Sequence, residues 1–291
     1  MYNYTYKLIN IQIRRDEMKV KKIVLGAIAM TAVLALTACG SGKQANADKS
    51  LSKVKDKGTL TVALNPEFAP FEFQTIENGK NKIVGSDIDL ANEIGKALGV
   101  KVKFEAMDFN NVLASVQSGK SDIGISGISA TAERKKAYDF STPYYTAKNV
   151  MIVKKSEVDK FTKLSDFDGV KVAAQKASIQ ENILTDQIKG VKVVSLVKNG
   201  QMINELNNGT VSGVIFEEPI AKAYVAANPD LTIATSVKFD SSKSDSYAIA
   251  LPKGSTKLKD EIDKVVDKLK SEGKIDQFVE KNFKLSLETA K

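Results

Sequence analysis

Between Ser121 and Tyr145 the chain gathers a guanidinium, several hydroxyls and a glycine turn in one short run. Asp122–Ser126 reads as a strand, apolar at Ile123 and Ile125, and the chain then turns through Gly127 with Ser126 and Ser129 beside it. A helix is predicted from Thr131, which can cap it, with Glu133 in the first turn where the helix dipole favours an anion. Arg134 lies in that same turn, where the dipole disfavours a cation. A forked guanidinium next to free backbone N–H groups and the Ser126 and Ser129 hydroxyls makes a cradle for a carboxylate. The plainer alternative is a surface helix on which Arg134 pairs with Asp139. A second feature is Val214–Pro219, an apolar strand that ends abruptly in Glu217 and Glu218 before a proline. Two carboxylates there can meet a cationic group, or form no more than a solvated loop pair.

Composition removes several kinds of chemistry. The 291 residues are 43% hydrophobic and 27% charged, ordinary for a globular protein, and long enough for one large domain or two modest ones. There is no histidine, which rules out Ser–His, Cys–His and His–metal arrangements. The one cysteine, Cys39, cannot form an internal disulfide or a thiolate cluster, and no metal site or cofactor motif is legible. No phosphate-binding loop of the Gly-rich Lys-Ser/Thr type occurs, so ATP use is not expected of this chain. The net charge of +8 falls to +4 once residues 1–38, with six Lys/Arg and two Asp/Glu, are set aside. No basic block interleaves with aromatics, so nucleic acid is not an expected partner.

The elements that must position the candidate residues alternate along the chain. Gly58–Leu64 reads as a first strand, ending in Asn65-Pro-Glu-Phe-Ala-Pro-Phe-Glu-Phe73. Gly85–Leu90 introduces a helix with Ile88, Ala91, Ile94 and Leu98 on one face, closed by Gly99. A strand at Val102–Ala106 and a helix at Phe109–Gln117 follow. Further strands are expected near Val150–Val153, Val170–Ala174, Val191–Leu196 and Val214–Phe216, with helices at Ser178–Ile188 and Met202–Asn207. Tyr247–Leu251 returns as a strand, and Leu258–Phe283 is helical on either side of Gly273. Such alternation predicts an α/β fold with mostly parallel sheets. Open sheets of this kind bind ligands at the carboxyl ends of their strands.

The beginning of the chain reads as an export signal. Met18, taken as the true start with residues 1–17 an extension, opens a basic segment followed by a short apolar run from Ile23 to Leu36. Leu36-Thr37-Ala38-Cys39 resembles the lipobox of bacterial lipoproteins, which implies a signal peptide over 1–38, lipidation at Cys39 and anchoring by two or more acyl chains. Residues 39–50, made mostly of Gly, Ser, Lys, Gln, Asn and Ala, read as a lipid-anchored linker before a folded part that begins near Leu51.

Ser-Gly-Ile-Ser-Ala-Thr-Ala-Glu-Arg-Lys-Lys, followed by Asp-Phe-Ser-Thr-Pro-Tyr-Tyr, resembles the signature of the polar amino-acid-binding proteins of ABC importers, the bacterial extracellular solute-binding proteins of family 3. The resemblance spans nearly all of Leu51–Phe283. It implies a periplasmic-binding-protein-like fold of type II, an α/β architecture of two lobes joined by two hinge strands. Lobe 1 would comprise 51–145 and 247–291 and lobe 2 would comprise 146–246, with hinges near 145–148 and 244–247. By the same resemblance Arg134, Ser126, Gly127 and Ser129 hold the ligand's α-carboxylate and Glu217, where relatives more often carry Asp, meets its α-ammonium. Phe68 and Phe109 would stack on the ligand side chain. Gln175 and Ser178 match a lobe 2 motif, and Asn65 stands where many relatives place an acid. Ala177 replaces the usual glycine of that motif, and would be strained if the backbone there takes positive φ.

The expected function is therefore that of an extracytoplasmic binding lipoprotein, not an enzyme. It would be a monomer on the outer face of the bacterial cell membrane, closing its lobes around a glutamine-like or cationic L-amino acid. Delivery would be to an ABC permease and its ATPase on other chains. Glu67 and Glu218 are the carboxylates that could receive a cationic side chain. Two alternatives stay open: a dehydratase of the cyclohexadienyl type with Glu217 or Glu218 as general acid, and a surface adhesin or sensor that keeps the fold.

Overall fold

The computed structural model describes residues 48–240 and 246–289. The signal segment, Cys39 and all but the last residues of the linker lie outside the described residues. The folded part begins slightly before Leu51. Helix α1 (Ser50–Lys57) opens with the Ser50 N–H donating to Asp48 (2.8 Å), and Asp48 and Ser50 also accept backbone N–H groups of Lys257 and Leu258.

Strand β1 (Thr59–Leu64) is buried along almost its whole length, and burying each Leu or Val there contributes about 1.5–3 kcal/mol. Past Asn65 the chain makes a three-stranded antiparallel meander, β2 (Glu67–Phe68), β3 (Glu72–Glu77) and β4 (Lys80–Val84). Helix α2 (Ser86–Leu98) buries Ile88, Ala91, Ile94 and Leu98 as its periodicity predicts, and Gly99 ends it at φ 71°. Strand β5 (Lys101–Ala106), helix α3 (Phe109–Gln117), strand β6 (Ile123–Gly124), the single turn α4 (Arg134–Ala137) and strand β7 (Tyr138–Phe140) follow. Strand β8 (Tyr145–Thr146) then leads into β9 (Asn149–Lys154), β10 (Lys171–Gln175), α5 (Ile179–Gln187), β11 (Lys192–Leu196), α6 (Asn199–Asn207), β12 (Gly213–Glu217), α7 (Glu218–Ala227) and β13 (Leu231–Ile233). The return passes through β14 (Ser246–Tyr247) and β15 (Ala250–Pro252) to helices α8 (Thr256–Ser271) and α9 (Lys274–Thr289).

Two five-stranded sheets result, ordered β5-β1-β6-β15-β7 and β11-β10-β12-β9-β13. Each is mixed, which corrects the expectation of mostly parallel sheets. Strands β5, β1 and β6 are parallel, as are β11, β10 and β12, whereas β15 and β9 run antiparallel to their neighbours. The physical reason is the crossing. A chain arriving from the other sheet enters at the carboxyl edge of the parallel strands and can only run back against them. The strand expected at Tyr247–Leu251 is for the same reason divided: β14 pairs with β8 in the crossing, and β15 belongs to the first sheet. The β8–β14 pair is fixed by packed aromatic rings, with Phe71 5.0 Å from Tyr145 and 5.1 Å from Tyr247, both edge-on.

Among the described residues no helix is long and apolar enough to cross a membrane. One backbone constraint joins the meander to α2. Gly85 sits at φ 139°, and a Cβ there would lie 1.9 Å from the Phe71 carbonyl oxygen, so no side chain fits without moving main chain. Gly85→Ala is expected to cost about 2–4 kcal/mol of stability, measured as a lower urea midpoint at unchanged slope.

Candidate functional site

Both sheets present the carboxyl ends of their parallel strands to one cavity, the kind of place where open α/β sheets bind ligands. All ten residues singled out from the sequence line it: Asn65 and Phe68 after β1, Phe109 at the start of α3, and Ser126, Gly127, Ser129 and Arg134 after β6. From the second sheet come Gln175 at the end of β10, Ser178 before α5 and Glu217 at the end of β12.

Local chemistry sets each position. Ser126 accepts the Asn65 N–H at 3.0 Å and donates to Glu72 at 2.6 Å, tying the turn after β6 to the end of β1. Gly127 has φ 55°, and a Cβ on it would come within 2.5 Å of the Phe68 ring, so the aromatic packs directly on the backbone. Thr131 accepts the Arg134 N–H at 3.1 Å, but the helix begins only at Arg134, with Glu133 and not Thr131 at its N-cap. The Arg134 guanidinium donates to the Ser129 carbonyl and, across the cleft, to the Ala177 carbonyl, both at 2.9 Å, and lies 5.7 Å over the Phe109 ring. Burial lowers its pKa to about 10, so it stays charged at neutral pH. It does not pair with Asp139, which instead meets Lys253 at 3.0 Å.

Other hydrogen bonds cross the cleft. Gln175 donates to Asn65 at 3.2 Å, the Asn199 N–H donates to the Glu67 carboxylate at 2.9 Å, and the Tyr224 hydroxyl donates to the Glu67 carbonyl at 3.0 Å. The two halves are thus closed on each other. The same bonds take Glu67 out of the cavity, and Glu218 is held at the surface by Lys222 (2.6 Å). Neither of the carboxylates considered for a cationic side chain is in the lining.

Two further residues, Ile179 and Gln180, complete the lining without having been expected there from the sequence. Gln180 is buried and donates from its Nε2 to both Asn149 and Glu217, each at 2.8 Å, which orients the Glu217 carboxylate. Its place in the first turn of a helix opening at Ser178 is the only signal of this in the sequence. The Ser178 hydroxyl is buried at the cavity with no hydrogen-bond partner among the described residues.

The profile of the bacterial extracellular solute-binding proteins, family 3, matches residues 60–285. The chain belongs to this family. The arginine-binding extracellular protein ArtP of Bacillus subtilis is 31% identical over 268 residues, 90% of this chain and 98% of that one. An amino acid ABC transporter substrate-binding protein, AbpA, from Streptococcus pneumoniae Canada MDR_19A, solved bound to L-arginine, is 52% identical with a TM-score of 0.78. That match covers 81% of this chain and 99% of the other. An ancestral arginine-binding protein solved with glutamine is 39% identical with a TM-score of 0.70, over 78% of this chain and 98% of that chain. The family and two-lobe fold implied by the resemblance are therefore those of this chain, and neither the dehydratase nor the adhesin alternative is favoured.

In this solute-binding protein Ala177 does adopt the left-handed conformation, at φ 66°. Its carbonyl must point at Arg134 and its N–H donates to Glu181 (2.8 Å), which fixes the peptide in that turn despite the methyl group. An L-residue there costs about 1–2 kcal/mol, partly offset by the extra unfolded-state entropy of glycine, about 0.5–1 kcal/mol. Ala177→Gly is accordingly expected to raise stability by about 0.5–1 kcal/mol in urea unfolding.

Proposed function

We propose that this protein captures a polar L-amino acid as a zwitterion, with Arg134 and the Ser126–Ser129 turn holding the carboxylate and Glu217 the ammonium. The observation that carries this reading is that a guanidinium from one sheet and a carboxylate from the other line the same closed cavity. Each end of a zwitterion needs an opposite charge once it leaves water, because an unpaired buried charge is costly. Only a molecule touching both halves gains from their closure, so the ligand itself stabilises the closed state. Phe68 and Phe109 offer flat faces to the ligand side chain, and the Asn65 and Gln175 amides and the Ser178 hydroxyl offer polar contacts. L-Arginine is the first candidate, since a guanidinium stacks on aromatic rings and the solved relative AbpA was bound to it. A glutamine-like ligand is the second, favoured by a lining rich in amides in which Glu217 is the one carboxylate among the described residues.

The reading extends to the cell. Export directed by residues 1–38 and lipidation at Cys39 would tether the protein to the outer face of the membrane, where it hands its ligand to an ABC permease and ATPase. The lobes are assigned to 51–145 with 247–291 and to 146–246. The hinges are placed near 145–148 and 244–247, of which 244 and 245 lie outside the described residues. The protein acts by binding rather than catalysis.

A thermal-shift screen of the twenty amino acids with ornithine and citrulline tests the ligand, because a molecule that binds only the folded state must raise the melting temperature. Arginine, or failing that glutamine, is expected to give the largest rise. Arg134→Ala, which strips the carboxylate of its charge partner, is expected to lower affinity by at least about 100-fold. A full response in that variant would reject the role given to Arg134.

A further inference from the structure

Directly beneath the turn that faces the cavity lie two carboxyl groups that the proposed binding scheme does not use. Glu72, on β3, is wholly buried, and Asp87, in the first turn of α2, nearly so. Glu72 Oε1 accepts the Ser126 hydroxyl at 2.6 Å, and Asp87 accepts the Tyr144 hydroxyl at 2.8 Å. The other Glu72 oxygen, Oε2, is buried without a donor among the described residues, and Asp87 is held beside it, its N–H donating at 2.9 Å to the carbonyl of Phe71, the residue before Glu72. A buried carboxylate oxygen facing a second carboxylate is repelled and unsatisfied. One proton placed between them removes both penalties at once.

We infer that Glu72 and Asp87 share a proton and that this singly charged pair is a positioning device, holding Ser126 and Gly127 where a ligand carboxylate would meet them. The inference rests on the amino-acid-binding reading for its consequence, not for the proton itself. The groups facing the pair are Tyr144 ahead of β8, Tyr247 on β14 and Glu217 on β12, with the Gly127 N–H on the Asp87 side. None of these is a cation. Desolvation, then the charge of Asp87, drives Glu72 well above the ordinary carboxylate range. Burial brings Asp87 up to about 6 against the pull of Tyr144, Glu72 and Gly127.

The geometry makes the charge state matter. Ser126 lines the cavity while its hydroxyl proton is committed to Glu72, so a fully ionised pair would place a second negative charge behind the position proposed for the ligand carboxylate. The sign of the linkage follows. Carboxyl groups whose pKa is raised on folding stabilise the protein fully below their unfolded values, and that contribution is lost as pH rises through the folded ones. Ligand affinity should fall over the same rise.

The test has two arms. In carboxyl-carbon NMR of the uniformly labelled wild-type protein, with Glu72 assigned through its own side chain, Glu72 is expected to remain protonated at pH 7. Titration in the ordinary carboxylate range would overturn the inference whether or not any amino acid binds. In the second arm L-arginine affinity is measured from pH 6 to 9 in wild type, Glu72→Gln and Glu72→Ala, so that the ligand's own titration cancels between variants. Glu72→Gln, which reproduces the protonated acid, is expected to bind within about threefold of wild type at pH 6 and to lose the extra decline at high pH. Glu72→Ala should bind at least tenfold more weakly at every pH. A Gln variant that keeps the wild-type pH profile would likewise overturn the inference. Failure of wild type to bind any amino acid would sink the functional reading, and the NMR titration would still decide whether the proton is shared.

Discussion

Arg134 carries a charge that cannot be released at physiological pH and five N–H donors, in a place only partly open to water. Two of those donors are answered by the carbonyls of Ser129 and Ala177, one on each side of the cleft. Neutral carbonyls orient a guanidinium but leave its charge uncompensated at close range. An arginine held this way presents its fork rigidly toward the cavity and is better suited to a carboxylate than a freely moving side chain, because less entropy is lost on contact. Much of the surrounding structure serves that orientation: the Thr131 hydroxyl that accepts the Arg134 N–H, the Gly127 turn, and the unusual backbone of Ala177.

The crossing of the chain between sheets accounts for why the partner groups converge. Parallel strands β1, β5, β6, β10 and β12 all end at the cleft, so loops from five strands deliver side chains to one volume. The antiparallel strands β9 and β15 begin there, next to the β8–β14 pair. The aromatic packing of Phe71, Tyr145 and Tyr247 gives that pair a stiff base. On the proposed lobe assignment, these two adjacent strands are the place where one half would turn against the other.

Much of this is legible in the residues, and the gaps have identifiable causes. Ile88, Ala91, Ile94 and Leu98 announce α2 because a helix packed on a sheet must keep one apolar stripe. Helix α7 is hidden behind the paired carboxylates Glu217 and Glu218, which read as the end of a strand. Yet Pro219 in the first turn followed by Ile220, Ala221 and Tyr224 is a helix start with a buried face. The meander of β2 to β4 gives little signal because β3 and β4 are largely exposed and polar. Gln180 and the Glu72–Asp87 pair are out of reach for a different reason. A glutamine or a carboxylate in sequence reads as surface, and only the packing of distant segments reveals that it is buried and against what.

The arrangement also separates two tasks that a single set of charges would confuse. On the proposed reading, recognition of the zwitterion calls for one cation and one anion on opposite halves, and Arg134 and Glu217 are the two such groups in the lining. On the same reading, discrimination among side chains would fall to groups without net charge, namely Asn65, Gln175, Ser178 and the faces of Phe68 and Phe109, which line the cavity. Amides can donate or accept, so such a lining accommodates a guanidinium or a carboxamide at modest cost. It penalises an acidic side chain, which would stand near Glu217 with no second cation from the lining to answer it. If that reading holds, acidic ligands are disfavoured by the charge count of the cavity, while the choice between cationic and amide side chains rests on hydrogen-bond geometry.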